Sequence, residues 1–505
     1  MATVQVSAGR PRAVTHLGLM MIAVAIGVSG LVLSSLNKTG AAPTNLGVMI
    51  ALFVGIAVFA ELVVRFAAPY ADPVIMPLAV ALTGLGLAMI YRLDLSYIQM
   101  DSATYASRQA VFAIVGVALA AAIVILLPNH RVLRKFTYTF MVISLILLAL
   151  PMIPGVGVEI FGSRVWARIG GFQFQPAEFA KVTLAIFFAG YLVTNRDKLS
   201  VGGPKVLGLQ LPRLRDLGPI VVVWLAGIAI LIMQRDLGTS LLFFGMFIAM
   251  LYVATNRISW IIIGAALFLP AAFLAVKAFP HVQNRFHVWR NALDPAVYEA
   301  QGGSYQVVQG LFGMATGGLL GTGWGRGYPQ LVPLAHSDFI LSSLAEELGL
   351  VGMMAILLFY LLLIERGMRA ALGSRDGFGK LLAAGLSFSF ALQVFVVLGG
   401  ITLLIPLTGL TAPFLAQGGS SLMSSWIIIG LLLRISDGAR RPGPKPQPWY
   451  VGDLRREEPP PTTTTVPTVV PGRPRASGAN RVSSNEQETV ITIAPIGEDR
   501  KESES

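Results

Sequence analysis

Apolar runs of about twenty residues, separated by polar segments, recur from residue 15 to residue 435. A bilayer core about 30 Å thick takes about 20 residues of helix to cross. Inside it every backbone N–H and C=O must find its partner within the protein, which an α-helix achieves on its own. Twelve runs qualify: 15–36, 46–67, 73–91, 109–128, 135–153, 177–194, 218–233, 238–255, 258–278, 339–364, 379–399 and 419–435. Charged residues make up only 13% of the chain, about half the share expected of a soluble domain. The chain reads as an all-α polytopic membrane protein.

Basic residues orient these spans, because cytoplasmic loops collect Lys and Arg. Placing residues 1–14 in the cytoplasm puts Arg131, Arg134 and Lys135, then Arg196, Lys198, Lys205, Arg213 and Arg215, on the inner side. Arg366, Arg369, Arg375, Arg434, Arg440 and Arg441 follow them. The net charge of +12 is then met by anionic membrane lipids, and no nucleic-acid partner is needed. With no cysteine, disulfides, thiolate metal sites and cysteine nucleophiles are excluded. The expected location is the cytoplasmic membrane, with both termini inside and segments 154–176 and 279–338 facing out.

From residue 438 to 505 the composition turns to Pro, Thr, Ser and charge, as in "EEPPPTTTTVPTVVPGRPR". Such a segment cannot bury a core, so a disordered cytoplasmic tail is expected. It is either a solubilising tail or a docking segment for cytoplasmic regulators or a Ser/Thr kinase.

Polar residues inside apolar runs carry the functional signal, since each charge in lipid costs at least a few kcal/mol. In "GSRVWARIGGFQFQPAEFAK", Pro176 suits the first position of a helix and Glu178 its positive terminus. Lys181 follows one turn later on the same face, where it pairs with Glu178 or reaches the interface. Arg164, Trp166, Arg168 and Gln175, arriving just before, add a cationic, hydrogen-bonding lip suited to a phosphate-bearing lipid headgroup. The long segment 279–338 is basic and aromatic, then Gly-rich, and a structureless loop of that length is commonly functional. Its run 306–321 is short enough to dip into the membrane without spanning. Asp236 is placed to cap the helix after a tight turn. Glu346 and Glu347, about 100° apart on one helix, cannot face the same partner. The segment 405–422, with two prolines and three glycines, suits a re-entrant loop lining a cavity.

The motifs "FQFQPAEFAK", "QRDLGTSLL", "LDP…GGSYQVVQGLFG…GGLLGTGWGRG", "AHSDFI…AEELGLVG" and "PLTGLTAPF…GGSSL", in this order across about 73–437, resemble those of the SEDS family (shape, elongation, division and sporulation proteins) of RodA and FtsW. The layout is most similar to the actinobacterial type, in which two N-terminal spans, here within 15–72, precede a ten-helix polymerase core. The resemblance implies a peptidoglycan glycosyltransferase that polymerises lipid II on the outer face, serving elongation or division beside a class B penicillin-binding protein. It implies Asp294 as the catalytic carboxylate, with Glu299 as the fallback, and adds His336 and Asp338 to the substrate-binding set of Arg164, Trp166, Arg168, Gln175, Glu178 and Lys181. This chain departs from the family pattern at Val165, Ala177, Arg235, Ser337 and Gln417.

The chemistry suits that inventory. A sugar hydroxyl attacking an anomeric carbon needs a carboxylate as general base. A lipid pyrophosphate leaves as a stable anion, so it needs positive charge from Arg, Lys or a divalent cation such as Mg²⁺ or Mn²⁺, and no second acid. No cofactor is otherwise implied. The rival reading is a flippase or other transporter of the lipid-linked precursor, and an inert scaffold is third. Most of the informative polar residues cluster toward the outer surface, which favours chemistry there over a path through the bundle.

Overall fold

A computed structural model of the chain describes residues 13–41, 46–97, 105–160, 163–200, 205–206, 209–210, 222, 225–227, 229–230 and 233–442. Among them eleven helices are long and apolar enough to cross a membrane. Each meets one of the expected runs. The remaining run, 218–233, lies largely outside the described residues, as does the tail from 443 onward.

The described helices are α1 (Ala13–Thr39), α2 (Leu46–Ala67), α3 (Ile75–Tyr97), α4 (Tyr105–Leu126), α5 (Thr137–Ala149), α6 (Pro176–Ser200), α7 (Leu237–Thr255) and α8 (Ser259–Ala278). They continue as α9 (Pro280–Arg290), α10 (Pro295–Glu299), α11 (Tyr305–Gly317), α12 (Ile340–Gly373), α13 (Gly377–Ile401) and α14 (Gly419–Arg440). A 3₁₀ turn, His130–Phe136, leads into α5. The axis of the bundle is α3, which is buried all round, with α14 and α6 nearly so, whereas α8 lies almost bare at the rim. Apolar side chains toward lipid are what a membrane helix should show, so burial here marks protein–protein packing alone.

Small residues allow the close approaches. A Cβ on Gly27 of α1 would lie 3.1 Å from the Cα of Gly84 of α3, so these two backbones touch where both residues lack side chains. On α4, Gly116 leaves room for Trp426 of α14, which is wholly buried.

Two segments differ from the sequence reading. The strands β1 (Gly157–Ile160), β2 (Ser163–Ile169) and β3 (Phe172–Phe174) form a three-stranded antiparallel sheet, where the sequence indicated a cationic lip and no strands. The segment 279–338 is not structureless: α9, α10 and α11 fill nearly half of it. Its apolar run forms α11, 13 residues long, too short to span, as the sequence indicated.

Helix α12 is broken at Gly349, whose φ of 68° is open to glycine at little cost. The break frees backbone groups that the Gly-rich segment then satisfies. Leu350 N donates to Gly318 O at 2.9 Å and Val351 N to Leu319 O at 3.1 Å, while Thr322 N and Gly323 N donate back to Glu346 O and Glu347 O. Irregular backbone in a membrane protein needs such internal partners, because lipid offers none.

At the start of α3 and the end of α14, acids and arginines interlock. Asp72 lies between Arg366 and Arg440, and Asp437 between Arg434 and Arg441. Asp376 caps α13 through Gly379 N and takes His130 at 2.8 Å and Arg131 at 3.3 Å. These bonds hold the Asp376 pKa well below the ordinary carboxylate range despite its burial.

Candidate functional site

At the opposite helix ends lies a cavity of about 780 Å³, walled by α9, the start of α11, the stretch before α12 and the 403–409 loop. Arg235, His281, Arg285, Tyr305, Gln306 and Asp338 carry its polar chemistry. Helix α9 is fixed to the far wall by its own side chains: Arg285 Nη1 donates to Leu407 O at 3.1 Å and Thr408 O at 2.9 Å, and Trp289 Nε1 to Leu403 O at 2.8 Å. The loop 405–422 expected to line a cavity therefore does so through Leu407 and Gly409.

The cavity's electrostatics are cationic around one acid. Burial lowers the pKa of His281, and Arg235 and Arg285 nearby lower it further. Burial also lowers the Arg285 pKa, an effect opposed by Asp236 and Asp338. Asp338 is pushed up to about 6 by burial, against a hydrogen bond from Ser337 and the charge of Arg285. An anionic ligand with hydroxyl groups would find positive charge, amide donors and one proton acceptor here. Among the described residues no group of three or more His, Asp or Glu side chains is arranged to hold a metal ion.

The sequence-derived residues fall into three places. Asp338 lines the cavity. Close by, His336 is buried, stacked on Tyr105 with ring centroids 4.1 Å apart, and burial takes its pKa down to about 4. Asp294 and Glu299 are exposed at the two ends of α10, and the residues that follow it, Ala300, Gly302 and Gly303, reach the cavity. Asp294 caps α10, with Oδ1 accepting from Ala296 N at 2.9 Å.

The lip is split. Arg164 and Arg168 are exposed on β2, bonded to Glu159 at 3.0 Å and Gln173 at 3.3 Å respectively, with Trp166 half-buried between them. Gln175 is half-buried, its backbone N–H donating to Ser420 Oγ at 2.8 Å. Glu178 and Lys181 turn away into the bundle. Lys181 Nζ donates to Glu178 Oε2 and Gln393 Oε1, both at 2.9 Å, and Ser424 Oγ donates to the same Glu178 oxygen. Neither residue is among those lining the cavity. The other intramembrane acids act as expected: Asp236 caps α7 through Thr239 N at 3.0 Å, and Glu346 and Glu347 take different partners, Tyr328 N and Arg92.

The sequence reading did not single out Arg92 or Gln393. Gln393 interrupts an apolar run and Arg92 directly follows the run 73–91, and that was the available signal. Arg92 is wholly buried, paired with Glu347, and donates to Gln330 Oε1 at 2.8 Å and to Gly327 O.

Fold and site together define a multi-pass helical membrane protein with a polar, cation-lined cavity at one end of the bundle. Residues 72–441 match the cell cycle protein family of FtsW, RodA and SpoVE, and the chain belongs to that family. It is similar to the peptidoglycan glycosyltransferase RodA of Mycobacterium tuberculosis, 43% identical over 427 residues, 84% of this chain and 90% of that one. A probable peptidoglycan glycosyltransferase FtsW of Trichlorobacter lovleyi is 33% identical over 73% of this chain and 94% of its own. Among solved structures, one described as "Structural coordination of polymerization and crosslinking by a peptidoglycan synthase complex" superposes with a TM-score of 0.58. It is 26% identical and covers 73% of this chain and 98% of that chain.

Proposed function

We propose that this protein is a peptidoglycan glycosyltransferase that polymerises lipid II at the outer face of the cytoplasmic membrane. The observation that carries this reading is the cavity in which Arg235 and Arg285 face a single carboxylate, Asp338, in a chain whose relatives bear that activity.

The reaction asks for few parts. The acceptor sugar hydroxyl forms a bond to the donor's anomeric carbon as the bond to the lipid pyrophosphate breaks, and the hydroxyl proton passes to a carboxylate. Arg235 and Arg285 meet the charge that grows on the leaving group. We assign the proton to Asp294, on the loop at the cavity's rim, and orientation of the sugars to Asp338. The exposed Arg164 and Arg168 extend the positive surface toward headgroups, and Mg²⁺ or Mn²⁺ would add to it.

The partner is a class B penicillin-binding protein, an assignment supported by the synthase complex above. Its soluble domain would touch the 279–338 segment and so bear on where Asp294 sits. Partner addition should therefore stimulate polymerisation even when the partner's transpeptidase serine is mutated. The primary experiment is incubation of the purified chain with labelled lipid II: glycan polymer supports an enzyme, and unchanged monomer a transporter or scaffold.

A further inference from the structure

Helices α1 and α2 lie outside the part of the chain that matches the family, and neither lines the cavity. Yet α1 does more than pack. Its face bearing Gly30, Ser34, Asn37 and Lys38 meets the Gly-rich turn 321–328. Trp324 Nε1 donates to Ser34 Oγ at 2.6 Å, and Asn37 Nδ2 donates to Trp324 O at 2.6 Å. Lys38 Nζ stands 5.9 Å from the centre of the Tyr328 ring. Ser34 is wholly buried, and its hydroxyl is itself directed by Gly30 O at 2.7 Å. The site exists because Gly30 lacks a side chain: a Cβ there would lie 2.8 Å from Ala88 Cβ and 3.3 Å from the Trp324 ring.

On its other side the same turn is held by the family core. Gly325 N donates to Glu347 Oε2 at 2.8 Å, Tyr328 N to Glu346 Oε1 at 2.6 Å, and Arg92 bonds Gly327 O and Gln330. From Gln330 the chain runs directly into Pro333, Leu334 and Asp338, three residues of the cavity wall, and Gln306 of the facing wall donates to Pro333 O at 2.8 Å. A displacement of the turn therefore has a short bonded route to the cavity.

We propose that α1 is a positioning element for the active cavity, acting through Ser34 and Asn37 on the Trp324 turn. Ser34, Asn37 and Trp324 are positioning residues: they touch no reacting atom, and they set where the stretch carrying Asp338 lies. The assignment rests on the polymerase reading for its rate, but its geometric half does not.

The test uses the full chain in detergent with labelled lipid II, read as kcat and KM, beside amide hydrogen exchange of residues 321–338. Ser34→Ala and Trp324→Phe each remove the same hydrogen bond. Each should lower kcat about threefold to tenfold, the range expected of one buried hydrogen bond, and speed exchange in the turn. The double variant should lose no more than the worse single, since the bond can be lost only once. Ser29→Ala, on the exposed side of α1, should match wild type in both readouts. Wild-type rates in both Ser34→Ala and Trp324→Phe overturn the proposal, whether or not exchange changes. A loss that follows a general fall in Tm and in protection across α3 and α14 overturns it as well. If wild type itself makes no polymer, the polymerase reading fails instead. Exchange in the turn then decides the geometric half, and unchanged exchange overturns it.

Discussion

Lys181 Nζ lies 2.9 Å from Glu178 Oε2, and solvent reaches 1% of the first side chain and 6% of the second. Two charges so deeply placed depend on each other, and removing one leaves the other without compensation. Lys181→Met should lower stability by about 3–5 kcal/mol, and adding Glu178→Gln should recover most of it. Thermal unfolding in detergent checks this. A Lys181→Met variant with wild-type Tm but poor use of lipid II would instead place the lysine on the substrate.

The carboxyl of Asp338 gives a pH prediction with a definite sign. Its pKa of about 6 in the folded protein exceeds the ordinary carboxylate value, so between about pH 4 and pH 6 the folded state holds more protons than the unfolded one. Stability should fall as pH rises through that window, by at most about 3 kcal/mol, and stay level above it. Asp338→Asn should lack the decline. If the ionised form orients substrate, the polymerisation rate should rise through pH 6 in wild type, and Asn should remove that limb.

The break in α12 should tolerate no side chain. A Cβ on Gly349 would lie 2.2 Å from Gly321 N, at a φ of 68°. Gly349→Ala should therefore undock the Gly-rich turn, and Arg92→Leu should do so by a second route, leaving the buried Glu347 unpaired. Both should show a large drop in Tm and faster amide exchange over 318–328. Wild-type Tm in either would mean that the turn is held elsewhere.

Much of this was legible beforehand because membranes leave few choices. Length and hydropathy located eleven of the twelve expected spans, the run 218–233 lying largely outside the described residues, and Pro176, Glu178 and Asp236 declared their helix starts through helix-terminus chemistry. The pairing of Glu178 with Lys181 was also visible, at three residues' spacing. What no local rule could give was the direction in which that pair points, because Gln393 and Ser424, which receive it, lie 212 and 246 residues away. The partners of Arg92 and the reach of Ser34 to Trp324 were hidden for the same reason. The sheet over 157–174 was missed because three short strands beside a membrane leave little periodicity to read.

On the proposed function, this chain joins lipid II into glycan and Asp294 accepts the proton. The most direct measurement is polymer formation from labelled lipid II by purified wild type, Asp294→Ala, Asp294→Asn and Asp338→Asn, each first shown to be folded. Wild type should make polymer, neither Asp294 variant should make any, and Asp338→Asn should work at a reduced rate. Polymer at a near wild-type rate from Asp294→Asn would contradict that role for Asp294, moving the base to Glu299 or Asp338. No polymer from folded wild type with its partner present would contradict the activity itself.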